Sequence, residues 1–271
     1  MSWKESYTYS TKFTALAPGT GVAFTDNEIR IDTDADFEFI KTMYFPGFAR
    51  ARVRYRDDTN GRFLMKATED IRTIGGRSIA GLQDGSVIQG VDRSPNSFIP
   101  FIWARPYIIS GATSFTVSAA DFANLAAYDF YLSFHGSKIR PGKAPWDKEW
   151  GAVVPYTYPI DVSGLISVSA NSTFSAGIPT DADSHFLVYK ITGSRTGQAL
   201  VTIKDSARDR QWMDSPVHID NMVGCGMFPN ILPSPRFIER RSVIAVTVQD
   251  FSGATNSIEM NFHGVKLYEK G

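Results

Sequence analysis

One six-residue frame occurs twice in this chain, and it constrains the fold more than any other feature. Phe134-His135-Gly136-Ser137-Lys138-Ile139 returns as Phe262-His263-Gly264-Val265-Lys266-Leu267, 128 residues later (263 − 135). A histidine beside a glycine suits a metal ligand or a general base. It suits equally well the trace of a repeated unit, and the flanking residues favour that reading. Asp121-Phe122 precedes the first frame by 12 residues and Asp250-Phe251 precedes the second by 11. Thr33-Asp34-Ala35-Asp36-Phe37 has a counterpart in Thr180-Asp181-Ala182-Asp183-Ser184-His185-Phe186. Arg52-Val53-Arg54-Tyr55-Arg56-Asp57 matches Leu200-Val201-Thr202-Ile203-Lys204-Asp205, and the runs ending in Met65 and Met213 follow each. Landmarks recurring in the same order are the signature of an internal duplication, and 271 residues hold two units of ordinary size.

The repeated unit reads as β. Residues 51–56 alternate apolar and charged at period two, as does Ile258-Glu259-Met260-Asn261-Phe262-His263. Residues 37–45 and 243–248 are rich in aromatic and β-branched side chains. Helical periodicity is confined to residues 119–127 (AADFANLAA), where at most a short turn of helix is expected. About eight short strands in roughly a hundred residues make a sandwich with a jelly-roll or similar Greek-key layout. The expected fold is therefore all-β, with two tandem jelly-roll-like β-sandwich domains arising from duplication. Residues 1–25 read as an N-terminal arm without strong patterning, and 26–140 as the first sandwich. Residues 141–160 read as a linker rich in proline and aromatics, and 161–271 as the second sandwich. Only the first copy carries an inserted loop, near residues 68–97, containing Gly75, Gly76, Gly81, Gly85 and Gly90. Trp146, Trp150, Tyr156 and Tyr158 in the linker are expected to pack between the domains or against a neighbouring chain.

Composition excludes more than it identifies. Lys plus Arg and Asp plus Glu number 28 each, so no global field draws the chain to nucleic acid or an anionic membrane. Cys225 is the single cysteine, which rules out an intramolecular disulfide and reads as a small buried residue. The polar start, MSWKESYTYS, has no secretory h-region, and no apolar run is long enough to span a bilayer.

Candidate chemistry is thin. His135 and His263 occupy equivalent positions in different units, so they are not expected to meet at one metal, and a structural role opposite a core phenylalanine is the reading. His185 and His218 lack ligand spacing. Asp32, Asp34 and Asp36 alternate as in a calcium loop, but Phe37 stands where the turn glycine belongs and no closing glutamate follows. A solvated strand edge is expected there, with a weak calcium site as the alternative. Arg50, Arg52, Arg54 and Arg56 share a strand face that reads as an ordinary wet surface, with Asp57 and Asp58 beside it. No nucleophile elbow, phosphate loop or dinucleotide fingerprint occurs.

Three stretches carry a resemblance: Ile29-Arg30-Ile31-Asp32-Thr33-Asp34-Ala35-Asp36-Phe37, Asn230-Ile231-Leu232-Pro233-Ser234-Pro235-Arg236-Phe237, and Asn261-Phe262-His263-Gly264-Val265-Lys266-Leu267. With them the chain resembles the accessory virion proteins of tailed bacteriophages, small β-sandwich proteins found as capsid decorations, collar or neck components and tail parts. The resemblance implies a non-enzymatic virion structural protein, assembled in the host cytoplasm and acting through protein–protein contacts. It implies no cofactor, membrane or specific nucleic acid. The implied partners are further copies of the chain and capsid, portal or tail components. The expected contact residues are Gly75, Gly76 and Gly85 in the inserted loop, and Trp146, Trp150 and Tyr156 in the linker, with the N-terminal arm lying across a neighbour. Two alternatives stay open: a double-jelly-roll major capsid protein, and a carbohydrate-binding host-attachment module.

Overall fold

The computed structural model describes residues 1–17, 24–45, 49, 51–65, 67–78, 98–121, 127–161, 166–224 and 229–270. Among them it is almost entirely antiparallel β. The first unit contains β1 (Ser2–Leu16), β2 (Thr25–Arg30), β3 (Asp36–Phe45), β4 (Ala51–Asp57), β5 (Arg62–Phe63) and β6 (Glu69–Asp70). A single helical turn, α1 (Ile71–Ile74), leads on to β7 (Gly76–Ser78), β8 (Phe98–Ile99), β9 (Phe101–Ile109), β10 (Ser114–Asp121) and β11 (Tyr128–Pro141). The second unit contains β12 (Ala152–Pro159), β13 (Ile166–Val168), β14 (Thr173–Pro179), β15 (Ser184–Arg195), β16 (Ala199–Asp205), β17 (Arg210–Gln211) and β18 (Val217–His218). After a 3₁₀ turn at Ile219–Asn221 come β19 (Asn230–Ile238), β20 (Val243–Asp250) and β21 (Asn256–Tyr268).

The two units share one topology. In the first, β1-β11-β3 form a sheet with β9 beside β3, and β2-β10-β4 form the second sheet with β5 and β6 beside β4. In the second, β12-β21-β15-β19 and β14-β20-β16 repeat those orders, with β17 and β18 beside β16. Counting each interrupted edge as one strand, both units run 1-8-3-6 over 2-7-4-5, which is the eight-stranded jelly roll. Each sandwich has its own core. The first is aromatic, with Phe39, Tyr55 and Phe115 each packed around Phe134. The second is largely aliphatic, built from residues such as Val188, Ile203, Val246 and Ile258, with Trp212 edge-on to Phe262 at 5.7 Å.

The repeated frame lies on strand 8 of each unit. Phe134 and Phe262 point into the cores, and the histidines take the opposite face. The ladder between β11 and β3 slips here: His135 faces Lys41, Gly136 faces Phe39, and Ile40 is left over. The ladder between β21 and β15 slips at the same point: His263 faces Lys190, Gly264 faces Val188, and Tyr189 is left over. A Cβ on Gly136 would fall 2.0 Å from the Glu38 carbonyl oxygen, and one on Gly264 2.0 Å from that of Leu187. Both glycines are therefore required by a bulge that presses the partner backbone against strand 8.

Two segments differ from the sequence expectation, and they differ alike. Ser2–Leu16, read as an arm, is strand 1 of the first jelly roll and pairs along β11. Ala152–Pro159, read as linker, is strand 1 of the second and pairs along β21. Residues 119–121, read as the start of a helical turn, belong to β10, where Ala119 is fully buried. Packing between two sheets overrides the helix preference of alanine there. The inserted loop joins the first sheet at its ends, since Gly76 pairs with Met43 and Arg77 with Ile99. Gly81, Gly85, Gly90, Phe122 and Cys225 lie outside the described residues.

Candidate functional site

The largest concentration of buried polar groups lies where the second unit covers the outer face of the β1-β11-β3 sheet. That face carries Ser6, Thr8, Lys41, Ser133, His135 and Ser137, all of them buried. An antiparallel sheet normally presents such residues to water. Here the second unit covers them with its strand-6 edge and the segment from Trp212 to Asn221. Thr8 donates its backbone N–H to Trp212 O at 3.0 Å and accepts from the Asp214 N–H at 3.2 Å. The Ser10 N–H donates to Asp214 Oδ1 at 2.9 Å. Asn221 Nδ2 donates to Ser133 Oγ at 3.2 Å, the hydroxyls of Ser137 and Ser234 lie 2.8 Å apart, and Lys41 Nζ donates to Asn230 Oδ1 at 3.2 Å and to Ile231 O.

Electrostatics focus on Glu5. Its carboxylate meets Arg140 at 2.9 Å and Arg236 at 3.2 Å, and Arg236 also donates to Ser6 O at 2.9 Å while lying over the Trp212 ring. Burial alone raises the Glu5 carboxyl, but Arg236, Arg140 and Arg210 outweigh it and hold the group below its ordinary range. Burial pushes His135 down to about 3, with Lys41 adding to the shift. Burial takes His218, stacked on Phe45 at 3.7 Å, to about 3 as well. Burial lowers Lys41 to about 8 and raises Asp214 to about 6. The junction thus holds neutral imidazoles, its Glu5 carboxylate is met by arginines, and Lys41 and Asp214 are met by neutral hydrogen-bonding groups.

The sequence-read candidates fall in several places. Asp32 and Asp34 pair with Lys138, and Asp34 also accepts from Arg140, whereas Asp36 accepts the Gly111 N–H at 2.8 Å. The three carboxylates are already engaged within the chain, and no group of three His, Cys, Asp or Glu side chains suited to a metal occurs among the described residues. The strand register also shifts the alignment by two residues. Asp32 and Asp181 are the equivalent pair, since each gives its N–H to the strand-1 tyrosine hydroxyl, Tyr9 at 3.0 Å and Tyr158 at 3.2 Å. Arg56 pairs with Asp58 at 2.6 Å, and Arg54 lies over Phe63. Gly75 closes the α1 turn by donating to Ile71 O at 2.7 Å, with no room for a Cβ beside Tyr44. Trp146 bridges the units, 5.4 Å from Trp3 and 6.2 Å from Phe237, and Trp150 packs on Phe237 and donates to Trp146 O.

Tyr156 lines a shallow concavity on the outer face of the second unit, together with Pro155, Thr157, Tyr189, Lys190, His263 and Gly264. His263 is held there at both ring nitrogens, by Thr157 Oγ1 at 2.9 Å and Thr192 Oγ1 at 2.7 Å. Burial and then Lys190 lower its pKa. Sequence reasoning missed the Glu5–Arg236 pair, the Lys41–Asn230 contact and strand 1 itself. The signal for strand 1 was present, because Tyr7-Thr8-Tyr9 recurs as Tyr156-Thr157-Tyr158.

No helix among the described residues is long and apolar enough to cross a membrane. No protein-family model matches the chain, and no curated protein matches it. Among solved structures, the major capsid protein P2 of bacteriophage PM2 aligns at 13% identity over 94% of this chain and 97% of its own, with a TM-score of 0.24. The exported protein XepA of PBSX aligns at 9% identity over 97% and 86%, with a TM-score of 0.21. The VP2 subviral particle of infectious bursal disease virus aligns at 13% identity over 98% and 81%, with a TM-score of 0.18. At these scores none carries an argument about this chain, and its fold rests on its own strand order.

Proposed function

We propose that the chain is a non-enzymatic structural protein of a bacteriophage particle, working through protein–protein contacts as a capsid decoration or a collar or neck component. The supporting observation is the pair of jelly rolls of identical strand order, held together by a buried junction of hydrogen bonds and ion pairs. We take the two units as products of one duplicated ancestor, the resemblance to accessory virion proteins as the guide to their setting, and Trp146, Trp150 and the inserted loop as contact elements. Such a scaffold supplies surfaces rather than a reaction centre. Electron microscopy of particles, with the copy number of this chain per particle, tests the reading. One copy per lattice site supports decoration and a single ring at a vertex supports a collar or neck. Absence from purified particles refutes both.

A second reading, a double-jelly-roll shell protein, is favoured by one observation: both units complete all eight strands. A copy number equal to that of the shell lattice itself would select it. A glycan array with clear hits would instead select the carbohydrate-binding alternative.

A further inference from the structure

The outer face of the first unit is covered by the second, whereas the equivalent face of the second unit is open around Thr157, Tyr189 and Lys190, with Trp146 and Trp150 packed over Leu187 and Leu267 at its other end. We propose that this open face docks a second copy of the chain, through the strand-6 edge of that copy's first unit, so that the junction inside the chain is repeated between chains. The inference rests on the structural reading above and adds to it a surface, a partner and a polarity.

Equivalence is set by register. Thr8, Lys41 and His135 on the covered face correspond to Thr157, Lys190 and His263 on the open one, where the threonine–histidine hydrogen bond is repeated, 3.0 Å in the first unit and 2.9 Å in the second. The covered members are buried, whereas Thr157 and Lys190 are exposed and His263 is half-buried. On the donor side, β9 matches β19 residue for residue: Tyr107 faces Phe39 as Arg236 faces Val188, and Phe101 faces Thr42 as Asn230 faces Ile191. In β19 this edge is used inside the chain. There Phe237 is 6% exposed, whereas its counterpart in β9, Ile108, is 53% exposed.

Chemistry supports the same partner. The contacts inside the chain are polar on both sides: Ser6 with Arg236, Ser137 with Ser234, Lys41 with Asn230. At the equivalent positions most of these become apolar or aromatic: Ser6 becomes Pro155 and Ser137 becomes Val265, while Arg236 becomes Tyr107 and Asn230 becomes Phe101. Ser234 becomes the exposed Arg105, Val265 also packs beside Leu187 and Leu267, and the Tyr107 hydroxyl donates to Asp57 within its own unit. Lys190 would then meet an aromatic ring, a favourable pairing for a lysine. Around this face Val153, Tyr189 and Ile231 are 55%, 42% and 62% exposed, where a solvated sheet would carry polar side chains. An acceptor on the second unit and a donor on the first form a head-to-tail contact, which propagates to a ring or a filament rather than stopping at a two-fold dimer.

The test uses the full purified chain. Sedimentation velocity over a hundredfold concentration range is expected to show self-association that Tyr189→Glu and Lys190→Glu each weaken at least tenfold. Ser175→Glu, on the outer face of the other sheet opposite Thr247, is expected to leave it unchanged, with thermal melting confirming that all three variants fold. Polarity is read in a Cys225→Ser background by oxidative cross-linking. A mixture of Tyr189→Cys and Ile102→Cys chains is expected to give covalent dimers, and neither chain alone, because Lys41 meets Ile231, the counterpart of Ile102, inside the chain. A chain that stays monomeric throughout, one that associates equally well as Tyr189→Glu, or one that cross-links Tyr189→Cys to itself overturns the proposal. Association only after another particle protein is added also overturns it. Any of these results, obtained for a chain found in particles, leaves the structural reading standing and removes only the head-to-tail surface.

Discussion

Acid should loosen this protein well above the ordinary carboxylate range, because two imidazoles are buried uncharged at the junction. His135 and His218 sit at about 3 in the folded chain, against an ordinary histidine value of 6.5. A group depressed on folding contributes stability that is complete above its unfolded pKa and is lost as pH falls toward the folded one. The window therefore runs from about pH 6.5 down to about pH 3. At about 1.4 kcal/mol per unit, moving from pH 7 to pH 5 costs about 2 kcal/mol for each histidine. Asp214 works in the opposite direction, since its pKa is raised to about 6 from 3.8. Its side chain is exposed, so solvent screening leaves the return on protonation small. Lys41, at about 8, is charged throughout this range and cancels. The net expectation is a loss of about 3–4 kcal/mol, large against the 5–15 kcal/mol typical of a domain. Urea denaturation at the two pH values measures it. His218→Phe keeps the ring stacked on Phe45 and gives up only the Asp220 N–H contact at 3.3 Å, so it should cut the pH-dependent loss by about 2 kcal/mol. A variant with the wild-type pH slope, or a His218 proton resonance that titrates near 6.5 in the folded protein, would refute the reasoning.

Four further outcomes follow from the same geometry. Glu5→Ala strips a buried partner from Arg236 and Arg140 and should lower unfolding free energy by about 3–5 kcal/mol, measured by urea melts. Gly136→Ala and Gly264→Ala each force a Cβ onto a carbonyl oxygen and should cost about 1–3 kcal/mol or more; equal stability in calorimetry would show that the bulge can open freely. Tyr55→Phe removes a buried hydroxyl left without a hydrogen-bond partner and should be neutral or stabilising by about 1 kcal/mol. Calcium at millimolar concentration should leave the melting temperature unchanged, because Lys138 and the Gly111 N–H already occupy Asp32, Asp34 and Asp36; a rise of several degrees would revive the calcium-loop reading.

The sandwich architecture was legible because its signals are local. Alternation in β4, the branched run of β20 and the repeated frame each report on a few neighbouring residues. What escaped was strand 1 in both units, for two different reasons. In β1 the inward Tyr7, Tyr9 and Phe13 are diluted by serines, threonines and lysines, and those outward polar residues looked solvated when the second unit in fact buries part of them. In β12 the prolines at 155 and 159 argue against a strand, yet the strand stands at a sheet edge, where a missing N–H is tolerated.

The junction was illegible for a deeper reason. Ser6, Thr8, Ser133, His135 and Ser137 form the polar stripe that period-two reasoning assigns to water. Only the partner unit, 88 to 230 residues away in sequence, reveals that they are covered. The comparison between repeats exposes this where a single copy cannot. At equivalent positions one copy keeps serine and the other has proline or valine, Ser6 against Pro155 and Ser137 against Val265. A stripe that merely faced water in both units would have no reason to be more polar in the buried copy. The polar set fits a permanent contact built from hydrogen bonds within one chain. The apolar set fits a contact between separate chains, where dehydrating aliphatic and aromatic surface supplies the driving force. Read this way, the repeated histidine marks two versions of one docking face, of which the fold fills the first.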